Sequence, residues 1–220
     1  MRSVEIPGLG RVPVGKILGI GTNYAAHAAE MGVTPGGDPV VFLKPSTALC
    51  GEGDTVRAPG PGHDLHYETE LVAAIGTGGR RIAFEKALDH VAAYAVGLDL
   101  TLRDLQKEAK RLGRPWAAAK GFDTSAPVSA FRSAREVGDP QRVALALKVN
   151  GEPRQSGNTS DMIVPVAGLI CYLSTLFTLE PGDLIFTGTP AGVGALQVGD
   201  RLEAEATGVG RLGVTVGAPA

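Results

Sequence analysis

The chain has 220 residues, a formal net charge of −2 and a hydrophobic content of 44%. This length suits one globular unit with a well-formed core, and we predict a single domain over residues 1–220 in which residues 1–15 are only a short N-terminal hairpin. The near-neutral charge excludes the basic footprint of a nucleic-acid or anionic-membrane binder. Two cysteines are too few for a disulfide framework, and no segment resembles a signal peptide or a membrane span, so we expect a cytoplasmic protein.

Glycine and proline are spaced along the chain as turn residues, which predicts many short strands. An opening hairpin and strand are predicted over residues 1–20. A short helix follows, with Asn23 as its N-cap and Gly32 as its stop. Residues 33–38 are predicted to form a mobile loop. The next strand, over residues 40–45, ends in Lys44, which faces either a site or only solvent.

The second half of the chain alternates between helical and strand patterns. An amphipathic helix is predicted over residues 84–91, a helix or 3₁₀ turn begins at Arg103, and the longest helix is expected over residues 163–179. Asn150-Gly151 predicts a hairpin between strands over residues 143–150 and 152–158. A buried strand over residues 184–187 leads into a glycine-rich loop over residues 188–194, whose backbone N–H groups suit a carboxylate or a phosphate.

The stretch over residues 66–76 contains apolar and β-branched residues and ends in Gly76, so it is interpreted as a strand. Glu68 and Glu70 would then point to the same side, because residues two apart share a face of a strand. Asp99 lies inside another apolar, strand-like run. Buried like charges need a neutraliser, and an all-oxygen set favours Mg²⁺ or Mn²⁺ over zinc or copper. The alternative is one solvated face of an antiparallel sheet.

Further candidate residues stand in pairs or in segments with few other polar groups. His27 and Glu30 are neighbours on one helical face, as a general base and its orienting carboxylate would be, or else form a surface pair. Arg103 and Gln106 have the same spacing, and Arg103 suits a substrate carboxylate or an ion pair with Asp104. Lys120 is either a buried cation that binds an enolate oxygen or a surface lysine.

These segments together resemble the fumarylacetoacetate hydrolase family. The resemblance covers nearly the whole chain, in family order, and its motifs are Asn23-Tyr24…His27…Glu30, Phe42-Leu43-Lys44-Pro45, His66-Tyr67-Glu68-Thr69-Glu70-Leu71, Gly97-Leu98-Asp99-Leu100-Thr101-x-Arg103-Asp104-x-Gln106, Trp116-x-x-x-Lys120-Gly121-Phe122-Asp123, Asn150-Gly151…Gln155-x-Gly157-x-Thr159 and Thr187-Gly188-Thr189-Pro190-x-Gly192-Val193-Gly194. Each motif is weak alone, and the ordered set is specific.

The resemblance implies both a fold and a site. The implied fold is α+β, a β-rich mixed-sheet roll of the fumarylacetoacetase C-terminal-domain type with short helices, usually a homodimer. The implied metal ligands are Glu68, Glu70 and Asp99, with Mg²⁺ or Mn²⁺ as the ion and Ca²⁺ as a substitute in a crystal. The implied catalytic residues are His27, Glu30 and Lys120. The implied substrate-binding residues are Tyr24, Arg103, Gln106, Gly188 and Thr189.

The implied activity is that of a metal-dependent enzyme acting on small α-keto acids through a metal-stabilised enolate. Two departures from the large fumarylacetoacetases place the chain near the small branch of the family. It has no counterpart of their extra N-terminal domain. The segment from Gly19 to Thr22 also lacks the additional aspartate that they carry ahead of the active-site lid, the segment that holds His27 and Glu30 here. Acylpyruvate hydrolysis and oxaloacetate decarboxylation or tautomerisation are therefore expected. The alternatives are a 5-carboxymethyl-2-hydroxymuconate isomerase/decarboxylase and a catalytically idle binder of metal or dicarboxylates.

Overall fold

The computed structural model describes residues 2–32, 34 and 36–219. Its strands in chain order are β1 (Ser3–Ile6), β2 (Gly10–Pro13), β3 (Ile17–Gly21), β4 (Val40–Lys44), β5 (Leu49–Cys50), β6 (Thr55–Val56), β7 (Leu65–Tyr67), β8 (Thr69–Ile75), β9 (Val91–Leu98), β10 (Thr101–Leu102), β11 (Ala126–Pro127), β12 (Arg132–Ser133), β13 (Ala144–Val149), β14 (Glu152–Asn158), β15 (Leu184–Phe186), β16 (Gly194–Ala195), β17 (Arg201–Ala206) and β18 (Gly210–Val216).

Helices are short and occupy the connections between strands. The α-helices are α1 (Ala25–Glu30), α2 (Arg103–Leu112), α3 (Ala117–Lys120), α4 (Ala134–Val137) and α5 (Val166–Leu176). The 3₁₀ turns are Ser46–Ala48, Phe84–His90, Pro140–Arg142 and Thr159–Asp161. The architecture is therefore a β-rich α+β fold, which confirms the predicted fold class.

Two larger sheets carry the fold. A six-stranded mixed sheet has the order β12-β9-β8-β15-β3-β4, in which β15 and β3 are parallel and the other pairs are antiparallel. A five-stranded sheet has the order β14-β13-β17-β18-β6. Strands β10, β7 and β16 form a small antiparallel sheet beside the site. The remaining pairs are β1 with β2 and β11 with β5.

The six-stranded sheet is covered on both faces, and the alternation along β8 shows it. Leu71, Ala73 and Ile75 pack into the larger hydrophobic cluster, whereas Val72 and Ala74 pack into a second cluster on the opposite face. A strand buried on both sides consists of continuous apolar residues, because each face needs its own apolar set. In β13 and β17 buried and exposed residues alternate instead, so the five-stranded sheet has one solvated face.

Several local predictions are confirmed. The opening hairpin, the strand ending at Lys44 and the β13–β14 hairpin are present. Asn150 and Gly151 both adopt positive φ, at 55° and 82°, as the tight turn requires. Helix α5 is the longest α-helix of the described residues, although it is shorter than the predicted 163–179 span.

Other local predictions are wrong. The stretch over residues 66–76 is not one strand, because Glu68 separates β7 from β8 and the two strands belong to different sheets. The predicted amphipathic helix over residues 84–91 is a 3₁₀ helix, Phe84–His90. Asn23 is not the cap of α1; Tyr24 precedes the helix, with no side-chain cap. The predicted mobile loop over residues 33–38 includes residues 33 and 35, which lie outside the described residues.

Candidate active site

Three buried carboxylates converge where β8 begins and β9 ends, within the six-stranded sheet. Oxygen atoms of Glu68, Glu70 and Asp99 lie within 4.8 Å of one another. The register of β8 and β9 brings them together, because it pairs Glu70 with Gly97, two residues before Asp99. The N–H of Asp99 also donates to the main-chain oxygen of Glu68 over 2.8 Å. The structure therefore unites the predicted acids although Glu68 and Glu70 do not lie on one strand.

Buried cations face these carboxylates. The Nζ of Lys120 donates to Oε2 of Glu68 over 2.8 Å, to Oδ2 of Asp99 over 2.5 Å and to the Thr101 hydroxyl over 2.7 Å. The Nη2 of Arg103 donates to Oε1 of Glu68 over 2.5 Å. The surface-lysine alternative for Lys120 is wrong, since only 2% of this residue is exposed.

The two glutamates have opposite electrostatic environments. Burial alone would raise the pKa of Glu68, but the charges of Lys120 and Arg103 outweigh burial and hold that pKa below its ordinary value. Burial and the charges of Asp99 and Glu68 raise the pKa of Glu70 well above its ordinary value. The hydrogen bond from the N–H of Gly188 and the charge of Lys120 act against that rise. Glu70 is therefore the carboxylate with the least local compensation in this cluster.

The cluster fits a hard divalent cation. All three side chains offer oxygen atoms, which Mg²⁺ and Mn²⁺ prefer. Oδ1 of Asp99 is buried and has no hydrogen-bond donor among the described residues. The Nζ of Lys44 lies 2.8 Å from this oxygen as an ion pair, and a carboxylate oxygen has a second lone pair beside the one that faces an ammonium. A lone pair of Asp99 is thus left for a cation, and the acidic set fits the predicted metal.

His27 and Glu30 form the pair that their spacing predicts. Nδ1 of His27 lies 3.0 Å from Oε2 of Glu30, and His27 is buried. The Glu30 carboxylate also accepts from the N–H of Gly192 over 3.1 Å, in the glycine-rich loop. Glu30 therefore orients the imidazole while the loop holds Glu30, which leaves Nε2 of His27 as the nitrogen that can exchange a proton.

The predicted substrate-binding residues lie around the same cluster, and they differ in whether their polar atoms already have hydrogen-bond partners. The Tyr24 hydroxyl and Nε of Arg103 are buried without a hydrogen-bond partner among the described residues, and burial raises the pKa of Tyr24. Nη1 of Arg103 donates to Oε1 of Gln106 over 2.5 Å. The N–H of Gly188 donates to Oε2 of Glu70 over 2.7 Å. The Thr189 hydroxyl donates to the main-chain oxygen of Thr69 over 2.8 Å.

Three further residues belong to the site: the sequence analysis gave Gln155 and Asn23 no functional role, and for Lys44 it considered both a site and solvent. Gln155 accepts from the N–H of Thr69 and donates to Thr189, so it fixes the start of β8 against the loop. Asn23 joins the chain before α1 to Thr187 and Val164 through its side chain. Lys44 points into the site and is fully buried. All three residues stand in motifs of the family resemblance, which was the available signal, but their hydrogen-bond partners are distant in sequence.

A buried oxygen-ligand cluster, a lysine among its carboxylates and a buried histidine–glutamate pair are the parts of a metal-dependent enzyme site. The sequence matches the family model "Fumarylacetoacetate (FAA) hydrolase C-terminal" over residues 16–217. The chain therefore belongs to the fumarylacetoacetate hydrolase family.

Named relatives and solved structures agree with that family. The chain is 48% identical over 191 residues to oxaloacetate tautomerase YcgM of Escherichia coli, covering 86% of this chain and 87% of the relative. It is 49% identical over 193 residues to the mitochondrial oxaloacetate tautomerase FAHD1 of Rattus norvegicus, covering 88% and 87%. The crystal structure of fumarylpyruvate hydrolase from Pseudomonas aeruginosa with Mn²⁺ and pyruvate matches with a TM-score of 0.93 and 45% identity, covering 99% and 96%.

The solved structure of an isomerase has the same fold at lower sequence identity. The 5-carboxymethyl-2-hydroxymuconate delta-isomerase from Mycobacterium smegmatis matches with a TM-score of 0.85 and 35% identity, covering 96% of this chain and 81% of that structure.

No helix in the described part of the chain is both long and apolar enough to pass through a bilayer.

Proposed function

We propose that this chain is a Mg²⁺- or Mn²⁺-dependent enzyme that acts on small α-keto acids, either by tautomerising or decarboxylating oxaloacetate or by hydrolysing acylpyruvates. The observation that carries the proposal is the convergence of Glu68, Glu70 and Asp99 beside Lys120. The relatives named oxaloacetate tautomerase and fumarylpyruvate hydrolase support the substrate class. We further propose that the protein is a cytoplasmic homodimer with one catalytic domain over residues 1–220.

Glu68, Glu70 and Asp99 would hold the divalent ion, which polarises the 2-oxo group of the substrate and stabilises negative charge on its oxygen. Lys120 places an ammonium among these carboxylates, where it can bind the same oxygen as negative charge develops. The unpartnered Nε of Arg103 and the Tyr24 hydroxyl are the free donors for the substrate's carboxylate. Gln106 fixes the guanidinium of Arg103 through Nη1.

The role of His27 differs between the reactions. For an acylpyruvate, His27 accepts a proton from water, and the hydroxide attacks the distal carbonyl carbon. The carbon–carbon bond then breaks, its electron pair forms the enolate of pyruvate, and His27 returns the proton it took from water to C3. Decarboxylation and keto–enol exchange of oxaloacetate need no attacking water. Glu30 keeps His27 in the orientation for proton transfer in the hydrolytic case.

The hydroxymuconate isomerase activity is the second candidate function. It is supported by the fold shared with the Mycobacterium smegmatis isomerase, at lower identity than the tautomerase and hydrolase relatives. An idle binder of metal or dicarboxylates is less consistent with the chain, because pure binding needs neither a buried histidine–glutamate pair nor a lysine among the ligands.

A substrate panel tests the proposal. Purified protein would be assayed with Mg²⁺ or Mn²⁺ on oxaloacetate, acetylpyruvate, fumarylpyruvate and 5-carboxymethyl-2-hydroxymuconate, before and after chelation. We expect turnover of oxaloacetate or an acylpyruvate that is lost on chelation and in D99N, and that returns to the wild type with added metal. Turnover of the muconate alone would favour the isomerase. No turnover of any substrate, or full turnover after chelation, would reject the proposal.

A further inference from the structure

Lys44 is a fully buried lysine that the proposed reaction does not use. It is the last residue of β4 and pairs with Ile17 in the neighbouring strand β3. None of its side chain is exposed to solvent. A buried ammonium is unfavourable unless oxygen atoms surround it, so its position needs a structural or functional reason.

The Nζ of Lys44 contacts two segments that each carry a proposed functional residue. It donates to the main-chain oxygen of Leu100 over 3.2 Å, in the segment that begins with Asp99. It also donates to the main-chain oxygens of Lys120 and of Ser125, the latter over 2.9 Å, and to the Ser125 hydroxyl over 3.1 Å. Lys44 therefore connects the Asp99 segment to the Lys120 segment.

Lys44 also forms an ion pair with the Asp99 carboxylate. Nζ lies 2.8 Å from Oδ1 of Asp99, yet that oxygen receives no hydrogen bond from the described residues. Oδ2 accepts from Lys120 over 2.5 Å. The two ammonium groups thus hold the carboxylate from both oxygens, while one lone pair remains for a cation.

Strand β4 supports Lys120 a second time, through Phe42. Phe42 and Lys44 are both buried and two residues apart, so they share a face of β4. The ring of Phe42 lies 4.8 Å from Nζ of Lys120, while Lys44 contacts the main chain of Lys120. Gly19 of β3 leaves space for this ring, because an added Cβ would collide with it.

We propose that Lys44 is a positioning residue, which aligns Asp99 and Lys120 for the divalent ion and the substrate. The inference rests on the proposed function. It predicts that loss of the Lys44 ammonium weakens metal binding as well as turnover, even though Lys44 is itself no ligand. Residues that orient metal ligands in this way typically change affinity by about 10–100-fold when they are removed.

The test compares two lysines that both stabilise buried carboxylates. K44M removes the ammonium at the site. K16M removes the ammonium of Lys16, which lies outside the metal cluster. Its Nζ is 2.7 Å from Oε2 of Glu180 and 2.8 Å from Oδ2 of the buried Asp183. The dissociation constant of Mn²⁺ would be measured by titration calorimetry on chelator-treated protein, with the melting temperature from circular dichroism. We expect K44M to weaken Mn²⁺ binding about tenfold or more, and K16M to lower stability with less than about twofold change in binding.

K44Q separates the two roles of the side chain and covers the case in which K44M does not fold. Its amide donates to main-chain oxygens but carries no charge toward Asp99. We expect K44Q to fold, to bind Mn²⁺ about tenfold more weakly and to lose kcat more than KM. Wild-type affinity in K44M or K44Q would overturn the positioning role and leave the proposed function intact. A wild-type protein that binds no Mn²⁺ would reject both.

Discussion

The main-chain N–H of Gly188 donates a hydrogen bond to Oε2 of Glu70 over 2.7 Å. This bond ties the end of β15 and its glycine-rich loop to the acid that burial and the charges of Asp99 and Glu68 make hardest to ionise. An amide oxygen can accept the same bond, so the charge and the hydrogen bond of Glu70 can be separated by one substitution.

E70Q should therefore remove metal binding without destabilising the metal-free protein. At pH 8 we expect metal-free E70Q to melt at the same temperature as the wild type or higher, because a poorly compensated buried charge is lost. Mn²⁺ at about 100 times its dissociation constant should stabilise the wild type by about 2.7 kcal/mol and E70Q hardly at all. Thermal melts with and without Mn²⁺ check this, with the exposed E85Q as control. An equal Mn²⁺ response in E70Q would contradict the assignment of this ligand.

The contact between Glu30 and Gly192 can be tested with two glycines of similar conformation. Gly192 has φ +98° and an added Cβ would lie 2.5 Å from the main-chain oxygen of Arg154, whereas Gly199 has φ +95° and open space. G192A and G199A share the backbone strain of about 1–2 kcal/mol. Only G192A should displace the loop from Glu30 and lower kcat, by about tenfold or more. Equal kcat in the two variants would show that the contact has no catalytic role.

Substitution of His27 should separate the two proposed reactions. H27A removes the base that activates water, so acylpyruvate hydrolysis should fall by about 10²–10⁴-fold. Oxaloacetate decarboxylation should persist, because loss of CO₂ consumes no attacking water. Steady-state kinetics on both substrates measure the difference, and E30Q should show the same preference more weakly. If H27A loses both reactions equally, His27 positions the substrate or closes the site instead of activating water.

The stability of the protein should fall as pH decreases through the range where histidine titrates. Burial and the charge of Arg103 lower the pKa of His66, against the smaller opposing effect of Asp64. The unfolded chain then binds a proton more readily than the folded protein, so stability is present above the unfolded pKa of about 6.5 and decreases below it. Urea unfolding at pH 7.5 and 5.5 should show a smaller loss in H66N than in the wild type. H90N, outside this cluster, should keep the wild-type loss; an unchanged loss in H66N would refute the explanation.

Local sequence patterns determined many of the elements of this fold. The Asn150-Gly151 turn requires positive φ at two successive residues, which few residue types accept, so the hairpin was predicted with its ends nearly correct. Strands β8, β9 and β15 are buried on both faces, so their sequences are nearly continuous apolar runs. Such runs predict strands from the sequence alone. Glu68, Glu70 and Asp99 stand out in the sequence as candidate ligands because charged residues are rare in such runs.

Only the tertiary structure decided how these acids meet and what surrounds them. Glu68 and Glu70 were expected on one strand, but the chain passes from the small sheet to the large one at Glu68. The convergence instead results from the register of β8 with β9. The sequence does not predict whether Lys44 faces a site or solvent, because the oxygens that accept from its ammonium belong to residues 56, 76 and 81 positions away. Propensity and periodicity act over a few residues, whereas the burial of a charge is set by groups brought together from across the chain.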